Sequence, residues 1–200
     1  MSRGRWIVGV TGASGAPYAL RLLQALVELE VPADVIVSDH GWRLFGHETG
    51  VRNEEDLIPA IGGSGALEFF DNGDRGARPA SGSAPYAGLV VCPCSMGTLS
   101  AIAHGTSRSL VARAADVTLK ERRKLVAVVR ETPLSPVHLE NMLALARIGA
   151  VILPAAPGFY HRPREVGDLV DFVVARVLDH MQVDHQIGYR WTGDEEARDG

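Results

Sequence analysis

A run of small residues near the amino terminus constrains the fold of this chain more than any other feature. It reads Gly9-Val10-Thr11-Gly12-Ala13-Ser14-Gly15-Ala16-Pro17. The apolar residues 6–10 predict a short buried strand, and residues 18–26 predict a helix. Small residues let the backbone turn sharply and approach a ligand closely, and the N–H groups of a helix N-terminus suit a phosphate. The spacing differs from the dinucleotide-binding Gly-x-Gly-x-x-Gly pattern, so a phosphate cradle and ligand-free strand–helix packing both remain open.

Length and composition indicate one α/β domain. The 200 residues are 46% apolar, which is enough for one good-sized core. We expect a single domain over residues 1–191 and a polar tail over 192–200. The net charge of −4 without a basic run argues against nucleic-acid binding, and the apolar stretches are too short for a membrane helix. Cys92 and Cys94 fit neither a disulfide framework nor a Cys-x-x-Cys site, so we expect a cytoplasmic protein.

Five apolar segments alternate with helical segments along the chain. Strands are predicted over residues 6–10, 33–38, 88–92, 125–129 and 150–153. Helices are predicted over residues 18–26, 42–46, 54–61, 98–103, 109–120, 137–148 and 164–181. Ser109 is the expected N-cap of one helix, and Pro136 lies in the first turn of another. Nearly continuous apolar strands between helices predict a parallel sheet that is covered on both faces.

The residues that follow the predicted strands are rich in hydroxyl groups. Ligands of parallel α/β folds bind beyond the carboxyl ends of the strands. Each hydroxyl alone is typical of a cap or a turn, but four at one rim favour a ligand site; they belong to Ser14, Ser38, Ser95 and Thr98. Arg130-Glu131 follow another strand directly. Glu131 is either a general acid or base, if a cation and partial burial tune it, or part of a structural ion pair.

Several cations further along the chain suggest a second anion site. Arg113 and Lys120 share one face of a predicted helix. Arg176 lies beside the buried stripe of the last helix and needs a phosphate or a carboxylate partner. Tyr160, in the loop before that helix, is predicted to form an anion pocket with Arg176 and Lys120. Trp191 either covers an apolar ligand or packs on the domain surface. The seven histidines show no ligand spacing, so no metal site is expected.

Seven motifs taken together resemble the flavin prenyltransferases, the UbiX-like proteins. The similarity runs from about Trp6 to Trp191. The motifs are Gly12-Ala13-Ser14-Gly15-Ala16, Pro79-Ala80-Ser81-Gly82-Ser83, Cys92-Pro93-Cys94-Ser95, Arg113-Ala114-Ala115-Asp116-Val117, Leu119-Lys120-Glu121-Arg122-Arg123, Arg130-Glu131-Thr132-Pro133-Leu134, and the stretch 149–163.

The resemblance implies a fold and a reaction. The fold is a flavodoxin-like or Rossmann-like three-layer sandwich with a parallel sheet, assembled into a dodecamer. The reaction joins a dimethylallyl group from dimethylallyl monophosphate to reduced FMN, at N5 and then at C6. The product is prenylated FMN, which passes to a UbiD-type decarboxylase, and no metal takes part.

The resemblance also implies residue roles. Those for FMN binding fall on Gly12, Ala13, Ser14, Ser38, Ser95, Thr98 and Arg113. Those for the prenyl substrate fall on Lys120, Arg130, Tyr160, Arg176 and Trp191. Glu131 is the implied proton donor to the leaving phosphate, Ser14 is the implied proton relay, and Glu48 matches a Glu-Thr pair near that pocket.

The sequence departs from the family pattern at the implied prenyl pocket. Arg75 and Arg78 stand where some members carry an aromatic residue, Asp39-His40 replaces a common Lys-Ala pair, and Met96 follows Ser95. Two other functions remain open. A related cysteine-type decarboxylase needs a histidine after the first strand, where this chain has Ala13-Ser14-Gly15. A non-enzymatic flavin carrier would bind FMN and leave the prenyl donor unused.

Overall fold

A computed structural model describes residues 4–190 of the chain, and its core is one parallel sheet. The described strands are β1 Arg5–Val10, β2 Ala33–Val37, β3 Leu67–Asp71, β4 Tyr86–Cys94, β5 Lys124–Val129 and β6 Val151–Pro154. Every neighbouring pair is parallel. The strand order is β3-β2-β1-β4-β5-β6, which confirms the predicted α/β fold class.

Helices cover both faces of the sheet. They are α1 Ala16–Glu28, α2 Asp39–Thr49, α3 Glu54–Ala60, α4 Met96–Ala103, α5 Leu110–Lys120, α6 Pro136–Arg147 and α7 Val166–Met181. Side chains alternate between faces along each strand. Val8 of β1 therefore joins one buried cluster with α1 and α7, whereas Ile7 joins the other with α4 and α5. The resulting three layers are those of the predicted sandwich. Within residues 4–190, no helix has the length and apolar character that a bilayer crossing needs.

Two features of the fold differ from the sequence-based expectations. β3 is a sixth strand that the sequence analysis missed. It lies at the sheet edge, where Phe69 and Phe70 are only half-buried, so its composition lacks the continuous apolar run of the other strands. α2 also begins at Asp39 rather than at Trp42, because the Ser38 hydroxyl caps it. The predicted cap of α5 is confirmed, since Ser109 Oγ accepts a hydrogen bond from the Ala112 N–H.

The strand order fixes where a ligand can bind. The chain proceeds from β1 outward to β2 and β3, and then returns to β4 on the other side of β1. At this reversal the connections of β1 and β4 leave in opposite directions, which opens a crevice between their carboxyl ends. The Gly-rich turn after β1 and the segment after β4 therefore face each other.

Candidate functional site

Thr11 joins the two sides of the crevice. Its buried hydroxyl donates to the Pro93 carbonyl at 2.8 Å and accepts from the Ser95 N–H at 2.9 Å. Gly12 lies against α2, where an added Cβ would collide with His40 Cβ. Gly15 has a backbone φ of +126°, a conformation that residues other than glycine rarely adopt. The small residues of the turn are thus needed to bring three segments of chain together at the crevice.

The hydroxyls predicted at this rim cap two helices. Ser38 Oγ accepts from the Gly41 N–H at 3.1 Å at the start of α2. Ser95 Oγ accepts from the Thr98 N–H at 3.2 Å at the start of α4 and lies 3.0 Å from Thr98 Oγ1. Both helices begin directly after a strand, so their positive N-terminal ends lie at the carboxyl rim. Ser38 and Ser95 therefore cap their helices and also lie at the edge of the sheet where a ligand is expected.

Glu48 occupies the N-terminus of α1. Its Oε2 accepts hydrogen bonds from the N–H groups of Gly15 at 2.9 Å and Ala16 at 2.8 Å. A carboxylate from α2 thus fills the place where the Gly-rich turn was expected to hold a phosphate. These two N–H groups are not open to a phosphate in this structure. Gly12 and Ser14, at the tip of the turn, remain exposed.

Arg130 and Glu131 reach the same turn from β5. The Arg130 Nε donates to the Ser14 carbonyl at 3.0 Å, which brings a guanidinium over the Gly-rich turn. Glu131 is exposed, and its Oε1 accepts from the Thr132 N–H at 3.1 Å. Four of the predicted site residues are therefore gathered at the ends of β1 and β5: Ser14, Glu48, Arg130 and Glu131.

Tyr160 and Arg176 lie along one face of α7. The Tyr160 ring packs edge-on against Phe172, with the ring centroids 5.9 Å apart. Phe172 and Arg176 are four residues apart and so share a face of the helix. Arg176 is exposed and pairs with Asp179, with 2.7 Å between Nη1 and Oδ2. The carboxylate partner that the sequence analysis offered for Arg176 is thus present, three residues further along the same helix.

Asp179 links Arg176 to the segment that follows α7. Its Oδ1 accepts from Arg190 Nη2 at 2.9 Å and lies 3.2 Å from His185 Nε2. His185 Nδ1 accepts from the Ile187 N–H at 3.1 Å, and Arg190 Nη2 also lies 3.1 Å from His185 Nε2. Burial alone would raise the pKa of Asp179, but the hydrogen bond and charge of Arg190, with the charge of Arg176, hold that pKa below its usual value.

Two guanidinium groups, those of Arg176 and Arg190, share the Asp179 carboxylate. The sequence analysis did not single out Asp179. The sequence did contain a signal for this ion pair, because Arg176 and Asp179 are three residues apart on a predicted helix.

Lys120 lies at the opposite edge of the sheet. It ends α5, four residues before β5 begins, and its Nζ pairs with Glu121 Oε1. A Cβ on Gly82, in the loop that precedes β4, would lie 2.8 Å from that Nζ. Lys120 is therefore at the amino edge, whereas Tyr160 follows the carboxyl end of β6. The pocket predicted from Lys120, Tyr160 and Arg176 is not formed within one chain, because Lys120 ends α5 beside the start of β5 and Tyr160 follows the end of β6.

The loop before β4 is anchored to the buried carboxylate of Asp34. Arg78 Nη2 lies 2.7 Å from Asp34 Oδ1 and Arg5 Nη1 lies 2.5 Å from the same oxygen, while the Tyr86 hydroxyl donates to Oδ2. The Arg78 guanidinium also lies 5.5 Å from the Phe70 ring centroid. Arg78, which replaces an aromatic residue of some family members, is thus a structural anchor of the loop that contacts Lys120.

The remaining predicted residues are placed as follows. Arg113 lies in the first half of α5 and pairs with Asp116, with 2.6 Å between Nη1 and Oδ2. Ala13 and Met96 are buried, and Trp191 lies outside the described residues. In residues 4–190 no group of three His, Cys, Asp or Glu side chains is arranged to hold a metal ion. Burial raises the pKa of the Cys94 thiol to about 12.

Comparison with known proteins gives a consistent set of relatives. The model of the Flavoprotein family matches residues 1–178. Flavin prenyltransferase UbiX from Pseudomonas aeruginosa is 48% identical over 195 residues, which cover 94% of this chain and 93% of the relative.

Two solved structures share both sequence and fold. AnUbiX in complex with FMN and dimethylallyl pyrophosphate has a TM-score of 0.89 and 40% identity, covering 96% of this chain and 100% of its own. The dodecameric FMN-dependent UbiX-like decarboxylase from Escherichia coli O157:H7 has a TM-score of 0.86 and 44% identity, covering 94% and 99%.

Proposed function

This chain belongs to the Flavoprotein family and, within it, to the prenyl-transferring flavin prenyltransferases, and from that premise we propose the reaction that it catalyses. Dimethylallyl monophosphate loses its phosphate, and the dimethylallyl group joins reduced FMN at N5 and then at C6. The prenylated FMN serves a UbiD-type decarboxylase, and no metal takes part. The observation that carries the proposal is the gathering of Ser14, Glu48, Arg130 and Glu131 at one crevice.

The crevice between β1 and β4 fits FMN. The capped N-termini of α2 and α4, with Ser38, Ser95 and Thr98, offer N–H and hydroxyl donors to the ribityl phosphate. The exposed backbone at Gly12 and Ser14 lets a flat ring approach closely. When it is bound, reduced FMN supplies the nucleophilic ring atoms. The task of the protein is therefore to orient two substrates and to exclude water.

The departing phosphate of the donor needs cations and hydrogen-bond donors around it. Cleavage of the carbon–oxygen bond leaves a phosphate and an allylic cation, so positioned donors around the phosphate lower the barrier. We assign Arg130, Tyr160 and Arg176 to that phosphate. Glu131 donates a proton to its oxygen, and Ser14 relays a proton near the flavin. Glu48 holds the N–H groups of the Gly-rich turn and thereby positions Ser14.

A second copy of the chain completes this site. Lys120, assigned to the prenyl phosphate, lies at the amino edge of the sheet, and Glu131 lies at the carboxyl edge. One chain therefore cannot bring the two side chains to one substrate. Exposed apolar side chains on and beside α6 support contact between copies; they belong to Leu134, Val137, Leu139, Leu143 and Ile148. A dodecamer, as in the Escherichia coli relative, is the assembly we propose.

The decisive experiment supplies both substrates to the purified full-length protein. FMN, a reductant and dimethylallyl monophosphate are incubated with it without oxygen, and the released flavin is weighed by mass spectrometry. We expect a gain of one dimethylallyl group, also in the presence of a chelator. A parallel reaction with dimethylallyl diphosphate identifies the preferred donor. FMN that binds but gains no mass with either donor would instead support a flavin carrier.

A further inference from the structure

His161 lies at the centre of a three-ring stack beside Tyr160. Its ring centroid is 5.4 Å from that of Phe172 on α7 at an interplanar angle of 8°, and 5.9 Å from that of Tyr189 at 16°. The ring of Tyr160 stands edge-on to all three, at centroid distances of 5.7, 5.9 and 5.8 Å. The stack therefore fixes one side of a residue that the proposed function assigns to the substrate phosphate.

Both ring nitrogens of His161 are buried, and neither has a hydrogen-bond partner among the residues that the structure describes. A neutral imidazole carries one donor and one acceptor, and an imidazolium carries two donors. Burying such groups without partners costs free energy, because they lose their hydrogen bonds to water. Phenylalanine would fill the same place in the stack without that cost. The imidazole thus needs an explanation beyond packing.

The carboxylate that interacts with His161 is already engaged. Asp168 lies within electrostatic range of His161, but its Oδ2 accepts from the N–H groups of Arg164 at 2.7 Å and Glu165 at 3.2 Å. This carboxylate serves the N-terminus of α7 as a cap. It therefore gives no account of the two unpartnered nitrogens.

We propose that His161 is a further substrate-binding residue, whose ring N–H donates a hydrogen bond to the phosphate of the dimethylallyl donor. This inference rests on the proposed function. Both ring faces are covered by the stack, so only the ring edge, which carries the nitrogens, can meet a ligand. A phosphate beside Tyr160 presents acceptor oxygens to that edge.

The test removes the two ring nitrogens of His161 and keeps an aromatic ring in the stack. In His161→Phe we expect the KM for dimethylallyl monophosphate to rise roughly ten- to hundredfold, the loss typical of one hydrogen bond to a charged group. FMN affinity, measured by fluorescence titration, should not change, and Tm should stay equal or rise. His104→Ala is the matched control, since His104 is exposed at the end of α4. Its KM should equal that of the parent protein.

A second variant keeps the result decisive if the first perturbs folding. His161→Asn retains an N–H and gives up the aromatic stack, so its Tm should fall while its KM rises less than that of His161→Phe. A parent-like KM in His161→Phe, or the reverse order of the two KM values, overturns the proposal. If the parent protein makes no prenylated FMN, the proposed function fails by itself. Calorimetric titration of inorganic phosphate into the parent and His161→Phe proteins then decides the role of His161, and equal affinities refute it.

Discussion

Gly12 shows how one residue without a side chain permits the crevice to form. A Cβ at this position would collide with His40 at the start of α2, and that collision joins two segments 28 residues apart in the chain. Since the contact is with Cβ and not with the flexible end of a side chain, the first turn of α2 must shift to relieve it. Ser38, the cap of α2, would shift with it.

We therefore predict that Gly12→Ala lowers the free energy of unfolding by about 1–3 kcal/mol, the range for overpacked sites, and weakens FMN binding. Chemical denaturation and flavin fluorescence titration measure the two effects. Gly167→Ala on α7 is the matched control, because the nearest atom to an added Cβ there is Glu165 Oε1 at 3.4 Å, an ordinary contact, and alanine favours the helix. Gly12→Ala with parent-like stability would contradict the close packing of the turn on α2.

A substitution of Glu131, at the same rim of the sheet, tests the catalytic step without changing FMN binding. It is exposed, and its Oε1 accepts a hydrogen bond from the adjacent Thr132 N–H, so Glu131→Gln preserves shape and removes the acidic proton. We predict unchanged FMN affinity and Tm, with kcat for prenyl transfer reduced about 100-fold or more, as general acid catalysis typically contributes. Stopped-flow absorbance of the flavin measures the rate. Glu140→Gln, an exposed position on α6, is the control, and equal rates in both variants would remove Glu131 from the mechanism.

At the scale of the element, the N-terminus of α1 is held by a side chain from another helix. Glu48 on α2 accepts from two of the N–H groups that an isolated helix leaves unpaired. Gly15, the N-cap residue, has no side chain to do this. The Glu48 carboxylate on α2 therefore acts as the N-cap of α1, and it fixes the position of Ser14 relative to Arg130.

Removal of this carboxylate tests the positioning role of α2. We predict that Glu48→Ala lowers the free energy of unfolding by about 1 kcal/mol, as does the loss of an ordinary N-cap, and lowers kcat because Ser14 is released. Glu48→Gln retains an acceptor oxygen and should lose less of both. His47→Ala, the exposed neighbour on α2, is the control. A Glu48→Ala protein as stable and as active as His47→Ala would show that the contact positions nothing.

At the scale of the whole molecule, the assigned residues divide between the two edges of the sheet. Parallel strands send their carboxyl ends to one edge and the C-termini of the connecting helices to the other. Glu131 follows a strand, whereas Lys120 ends a helix. Their separation is therefore a consequence of the topology, and a side-chain rearrangement does not remove it.

This division makes a prediction about mixed assemblies. Lys120→Ala and Glu131→Gln chains should each be nearly inactive alone. If each site takes Lys120 from one copy and Glu131 from another, co-assembly in equal amounts restores about a quarter of the sites by random combination. Prenyl transfer by the co-expressed, doubly tagged assemblies measures the recovery. Separately purified variants mixed without exchange are the control, and no recovery in true mixed assemblies would place both residues in one chain's site.

The sequence determined the local parts of this protein. The periods of the apolar residues predict five of the six strands and the helices between them, and Ser109 is the predicted N-cap of α5. Ser38 and Ser95 follow strands, carry hydroxyls typical of caps or turns, and cap α2 and α4. These are interactions between residues a few positions apart, so a linear pattern records them. β3 was missed because its five residues, Leu-Glu-Phe-Phe-Asp, include two carboxylates and form no continuous apolar run.

Only the tertiary structure decided which side chains meet. Glu48 reaches Gly15 across 33 residues, Arg130 reaches Ser14 across 116, and Lys120 is carried to the far edge of the sheet. No local period encodes these distances, because they follow from the order in which the strands pair. The Gly-rich turn resembled a phosphate site for the same reason. The sequence predicts unpaired N–H groups at Gly15 and Ala16, but the Glu48 carboxylate that accepts their hydrogen bonds comes from α2.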